Sequence, residues 1–177
     1  HQEMEFTFEN DDAASLYVLQ SRPMVGSRFM ERAVFIASKE LDEAFLAEGV
    51  GVAGGALSGR VAFTETDITS LRELGDGPII LLRPDTVPED IPLVMAADGL
   101  LTARGGMTSH ASVTTKRMNK PCVVNCQGLD VSIKDDGATV GTLELRPGDL
   151  LSIDGTTGAV YVGAHEIKRV KRAIRVA

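Results

Sequence analysis

The stretch Gly99-Leu100-Leu101-Thr102-Ala103-Arg104-Gly105-Gly106-Met107-Thr108-Ser109-His110-Ala111 divides into three kinds of backbone. Gly99 to Ala103 is a short apolar run of the buried-strand type, Gly105-Gly106 opens backbone angles closed to other residues, and Thr108 or Ser109 is a good N-cap. The helix that follows continues through Val113, Thr115 and Met118 until Asn119, which tolerates a left-handed C-cap, and Pro121 ends it. Strand, tight loop and helix in that order predict an α/β unit.

His110 falls in the first turn of that helix. Unpaired N–H groups and the positive end of the helix dipole favour an anion there. A phosphoryl group carried on the imidazole would be stabilised by the backbone as well as by Arg104, with Gly105, Gly106, Thr108 and Ser109 as the other supporting residues. Neutral imidazole is a competent nucleophile near pH 7, its unperturbed pKa being about 6.5. A histidine that merely starts a helix is the plainer reading; the glycine pair and the arginine favour the phosphate. His1 at the chain end and His165, which heads the charged tail Ala164-His165-Glu166-Ile167-Lys168-Arg169, read as solvated.

Around this unit the chain is dense in strand signals. Arg60–Phe63, Pro78–Leu82, Gly99–Thr102 and Cys122–Val124 are short apolar runs, and Leu150–Ile153 and Ala159–Val162 flank an Asp-Gly-Thr-Thr-Gly turn. At the start, Glu3-Met4-Glu5-Phe6-Thr7-Phe8 alternates strictly, and after a polar loop Leu16 to Arg22 returns as the second arm of a hairpin. Glu3 and Glu5 share one face and suit a hard cation such as Mg²⁺, and Gln20 and Arg22 share one as well. An exposed polar face on an edge hairpin is the simpler account of the same residues. Between hairpin and body, Ser27 can cap a helix whose apolar positions Met30, Ala33, Val34, Ala37, Leu41, Ala44 and Phe45 keep helical spacing, with Gly49 as its stop. The basic C-terminal tail reads as a short solvated helix.

Composition bounds the class. The chain has 177 residues, 44% of them apolar, enough for one substantial core with flanks. A formal net charge of -7 argues against a general nucleic-acid binder, and no apolar run approaches membrane-spanning length. Cys122 and Cys126 lack metal partners at useful spacing, so two buried reduced thiols and a reducing compartment, cytoplasmic or organellar, are expected, with no metal in the body.

Leu101 to Ala111, followed by Lys120-Pro121-Cys122-Val123, resembles the phosphohistidine domain of the phosphoenolpyruvate (PEP)-utilising enzymes, and within them the pyruvate, phosphate dikinases. Leu82-Arg83-Pro84-Asp85-Thr86-Val87-Pro88-Glu89-Asp90-Ile91 and Gly148 to Gly158 extend the likeness on either side. Met107 and Ser109 stand where a PEP synthase usually has arginine and cysteine, which favours the dikinases; a synthase-like domain and a degenerate bridging domain are the alternatives. The resemblance implies a three-layer swivelling β/β/α domain at 49–163, preceded by the last hairpin of an ATP-grasp domain at 1–22 and a helical linker at 23–48. It also implies that 164–177 leads to a PEP/pyruvate barrel domain, the chain being an excerpt of a larger enzyme.

By the same resemblance, His110 accepts a phosphoryl group originating from ATP and swings to deliver it to pyruvate. ATP, phosphate and pyruvate become AMP, pyrophosphate and PEP, reversibly, with Mg²⁺ in the flanking domains. The partners implied are those two domains of the same polypeptide and, through the barrel, a second copy in a homodimer. Glu5, Gln20 and Arg22 match residues serving ATP and its metal, and Glu3 stands for an aspartate. Thr108 matches the threonine that a bifunctional regulatory kinase/phosphatase modifies in some dikinases, where a dianion two residues from His110 would repel a phosphoryl donor; a plain N-cap is the simpler role. Ser112, Thr114, Thr115, Lys116 and Asn119 depart from the family, which usually has small apolar residues and a glycine there.

Overall fold

The computed structural model describes the backbone at residues 2–8, 10, 15–23, 29–107 and 109–173, and side chains at 6–8, 10, 15–19, 31–107 and 109–171. The chain forms two units, His1–Met30 with Lys171–Ala177, and Glu31–Val170. In the first, the expected hairpin is present: β1 (Gln2–Phe8) pairs antiparallel with β2 (Leu16–Pro23). Its register sets Glu3 opposite Arg22 and Glu5 opposite Gln20, with a bulge between Glu5 and Phe6.

The remaining strands are β3 (Phe29–Phe35), β4 (Phe45–Glu48), β5 (Val50–Ala53), β6 (Ala56–Ala62), β7 (Ile79–Arg83), β8 (Gly99–Thr102), β9 (Cys122–Val124), β10 (Leu129–Ser132), β11 (Gly137–Val140), β12 (Leu143–Leu145), β13 (Leu150–Asp154), β14 (Ala159–Val162) and β15 (Ile167–Ala173). The helices are α1 (Lys39–Glu43), α2 (Glu65–Leu74), α3 (Ile91–Ala96) and α4 (His110–Arg117). Eight strands make one sheet in the order β4-β14-β13-β6-β7-β8-β9-β5. Its centre, β6 to β9, is parallel, and β13, β14, β4 and β5 join antiparallel at the flanks. Only Gly49 separates β4 from β5, yet they lie at opposite edges, so the sheet curls until one stretch of chain borders both.

Period-two alternation sorts the central strands between two cores. Val61, Phe63, Ile80, Leu82, Leu101 and Val123 face one way and pack with Leu129, Val131, Val140 and Leu145 of the small sheet β10-β11-β12. Ala62, Ile79, Leu81, Leu100, Cys122 and Val124 face the other way and meet Ile68 and Leu71 of α2, Val94 of α3 and Ala111 of α4. The result is the mixed β/β/α layering that the resemblance implies. Parallel connections require crossovers, and α2, α3 and α4 supply them.

Three expectations are corrected. The helix predicted from Ser27 is not formed across its described part: Phe29–Phe35 is strand, only Lys39–Glu43 is helical, and Gly49 joins two strands instead of ending a helix. Ser27 itself lies outside the described residues. Ser38, whose hydroxyl accepts the Leu41 N–H at 3.2 Å, is the cap that starts α1. Tertiary pairing overrode the helical spacing, because β3 finds a partner in β15 and the Phe35 ring packs on Tyr161, centroids 5.4 Å apart. For the same reason the C-terminal tail is strand over Ile167–Ala173. Nor is His165 solvated: it is half-buried, its Nε2 lies 2.8 Å from the Val162 carbonyl, and it meets the Phe35 and Tyr161 rings edge-on.

Candidate phosphohistidine site

The strand ends of β7 and β8 open on the same rim of the parallel core, where ligands of α/β sheets gather. Every residue of β8 is buried. After Thr102 the chain leaves the sheet, and Thr102 holds the departure by donating its hydroxyl to the Arg104 carbonyl at 2.5 Å. Gly105 has φ of +118°, a conformation L side chains rarely adopt, and a Cβ there would stand 3.4 Å from Asp85 Oδ1.

Ser109 is the N-cap of α4 and His110 its first residue. The Ser109 hydroxyl accepts the Ser112 N–H at 3.2 Å and donates to Ser112 Oγ at 3.0 Å; Ser112, wholly buried, donates in turn to the Gly106 carbonyl at 2.8 Å. The Ser109 N–H reaches that same carbonyl at 3.1 Å. Glycine loop and helix start are thus stitched together by two serines. Thr115, also buried, donates within the helix to the Ala111 and Ser112 carbonyls, so the polar residues that depart from the family pattern are satisfied where they are buried. Thr114 bonds the His110 carbonyl at 2.9 Å. Beyond the helix Asn119 has φ of +51°, the left-handed stop its position predicted.

The imidazole of His110 is exposed, as is Arg104, and neither side chain has a hydrogen-bond or ion-pair partner among the described residues. The N–H groups of His110 and Ala111 likewise lack an acceptor among the described residues. An exposed imidazole, N–H groups without an acceptor among the described residues and the positive helix end coincide, and Lys116 and Arg117 complement the dipole at the other end. Of the expected site residues, Arg104, Gly105, Gly106, Ser109 and His110 fall in one loop and helix start. Thr108 lies outside the described residues. For Glu3, Glu5, Gln20 and Arg22 the backbone register alone is described, and it brings the four into two facing pairs.

Sequence alone points to no role for Ser112 as a loop clamp, nor for Arg83 and Asp90 beyond their place in the family-like stretch 82–91. A charge directly after the buried run Ile79–Leu82, with an acid seven residues on, was the signal available for the latter. Arg83 Nη2 lies 2.5 Å from Asp90 Oδ1, in an ion pair whose side chains are only 13% and 5% exposed.

Residues 75–158 match the sequence model of the family described as PEP-utilising enzyme, mobile domain. The chain is 43% identical over 121 residues to a pyruvate, phosphate dikinase of Entamoeba histolytica, an alignment covering 68% of this chain and 13% of that protein. With a pyruvate, phosphate dikinase of Rickettsia felis the identity is 32% over 193 residues, covering 92% of this chain and 21% of the relative. With the chloroplastic pyruvate, phosphate dikinase 1 of Zea mays it is 42% over 118 residues, covering 67% and 12%. The chain therefore spans about a fifth or less of the length of these curated relatives. By these matches it belongs to the PEP-utilising enzymes, whose mobile domain it carries at residues 75–158.

Proposed function

We propose that His110 is the phosphoryl carrier of a pyruvate, phosphate dikinase. One observation carries the reading: an exposed imidazole opens α4 beside two backbone donors, and among the described residues neither the ring nor those donors has a partner. In the proposed cycle a ring nitrogen of neutral His110 attacks a phosphorus of ATP, and the bond from that phosphorus to its leaving oxygen breaks. AMP departs and a pyrophosphoryl group stays on the ring. Inorganic phosphate then takes the terminal phosphoryl, leaving as pyrophosphate. The remaining phosphoryl passes from nitrogen to the enolate oxygen of pyruvate, giving PEP and free imidazole. Arg104 and the N–H groups at the helix start hold the phosphoryl oxygens, and the Ser109–Ser112–Gly106 bonds keep the loop in place between transfers.

ATP and Mg²⁺ belong, in this reading, to a nucleotide domain of the same polypeptide, the metal offsetting the charge of the phosphates. Glu3, Glu5, Gln20 and Arg22 are this chain's share of that site, supported by the register that pairs Glu3 with Arg22 and Glu5 with Gln20. The barrel that handles pyruvate and a second copy of the polypeptide complete the proposed assembly.

The test uses the full-length gene product containing these residues, incubated with Mg²⁺ and PEP labelled in its phosphate. An acid-labile, alkali-stable label mapped to His110, and absent from His110→Asn, is expected. Label retained in His110→Asn would refute the assignment. Discharge of the labelled protein by AMP with pyrophosphate separates dikinase from synthase, since the synthase reaction uses AMP with phosphate.

A further inference from the structure

Resting on the carrier reading above, we infer that Arg83 and Asp90 are positioning residues for His110, a bracket that sets the phosphoryl-bearing loop against the sheet. Arg83 ends β7, and Asp90 closes the 3-10 turn Pro88–Asp90. Besides their 2.5 Å contact, Arg83 Nη1 donates to the Phe63 carbonyl at 3.3 Å, just beyond β6, and Asp90 Oδ2 accepts the N–H of Val87, the N-cap of its own turn, at 3.1 Å. The ends of β6 and β7 and the turn are thereby fixed to one another.

What this bracket holds is the seat of the site. The Arg83 carbonyl accepts the Ala103 N–H at 3.1 Å and the Pro84 carbonyl accepts the Arg104 N–H at 2.9 Å. Asp85 borders Gly105, as described above, and the turn Pro88–Asp90 packs against α4. One clamped segment therefore touches the loop on its strand side and the helix that bears His110. Among the described residues neither Arg83 nor Asp90 bonds the imidazole, so the effect is on placement.

Stability alone is a weak reason for such a pair. Burying two charges costs about as much as their attraction returns, and a well-packed apolar pair is often as good. Here the account is poorer still, because Arg83 Nε is buried without a hydrogen-bond partner among the described residues. What an apolar pair could not reproduce is the set of directional side-chain bonds that ties the end of β7 to Phe63 and to the turn, the segment on which the loop's main-chain bonds rest.

That difference supplies the experiment. In the full-length gene product, Arg83→Met combined with Asp90→Leu keeps bulk and removes the bonds. Three quantities are read: the rate of His110 labelling from PEP and Mg²⁺, the KM for PEP, and the melting temperature. The rate is expected to fall about 10- to 100-fold, as misplacement by about an ångström costs, with KM and melting temperature little changed. Arg83→Lys, which keeps the cation and loses the fork, is expected between the two. A double variant that melts like wild type and labels at the wild-type rate overturns the inference. If the double variant loses its fold, Arg83→Lys decides: a slowed rate at unchanged melting temperature supports the bracket, and a wild-type rate overturns it. Absence of label in the wild-type protein would instead overturn the carrier reading, and the bracket's role with it.

Discussion

Cys122 and Cys126 are buried beneath the site, and burial pushes each thiol from an ordinary 9.0 up to about 11; a Thr115 hydrogen bond only partly offsets this for Cys122. Both are therefore protonated at neutral pH and poor nucleophiles, in contrast with the exposed imidazole nearby. The same shift makes a stability prediction. A folded state that holds a proton more tightly than the unfolded chain keeps that advantage below the unfolded value and loses it as pH rises toward the folded one. Stability should thus fall between about pH 9 and about pH 11. Urea melts across this range are expected to show a shallower decline in a variant with both cysteines replaced by alanine. Equal slopes would mean the thiols do not contribute. The positions legible from sequence were those set locally: Ser109 caps the helix that His110 opens, and Asn119 stops it through its own left-handed turn. Arg83 and Asp90 act through segments brought together only by the fold.

At the scale of the element, legibility followed how much of each element's reason lay inside it. α2 is self-contained: Thr64 and Asp67 exchange bonds in a capping box, at 3.2 Å and 2.9 Å, and Gly75 closes it with φ of +70°. β3 is not, because its pattern suits a helix and its partner β15 lies more than a hundred residues away in sequence. α3 is an intermediate case. It has six residues and no glycine stop, and its end is held by Lys120, whose ammonium donates to the Val94 carbonyl at 3.2 Å, the Met95 carbonyl at 2.5 Å and the Ala97 carbonyl. Desolvation there lowers the Lys120 pKa. Replacing three charge-assisted bonds by a methionine of similar length leaves the carbonyls short of donors. Lys120→Met is expected to cost about 1–3 kcal/mol in chemical denaturation. Wild-type stability for that variant would show that water replaces the ammonium without loss.

For the molecule as a whole, the buried strands were readable from their apolar runs, the layering came with the family resemblance, and the closure came from neither. Runs such as Ile79–Leu82 are apolar at every position because both faces of the parallel core are covered, and that pattern is visible without coordinates. The curl that brings β4 and β5 to opposite edges depends on Gly49, which in sequence is equally good as a helix stop. In the fold its N–H donates to the Gly158 carbonyl at 2.9 Å. A Cβ on it would stand 2.7 Å from the Val124 carbonyl oxygen, 2.8 Å from Val123 Cγ1 and 3.0 Å from Cys126 Cα. Two of those neighbours are backbone, so a flexible side chain cannot relieve the contact, and β9, next to the site-bearing β8, would have to move. Gly49→Ala is therefore expected to cost about 3 kcal/mol, the upper end of what overpacking does. Gly75→Ala is the control: it also replaces a glycine in this unit, at positive φ but with open space around the position of its Cβ, and should cost about 1 kcal/mol. Urea denaturation of both variants measures the difference, and a Gly49→Ala protein as stable as Gly75→Ala would show that the sheet can open at this edge without penalty.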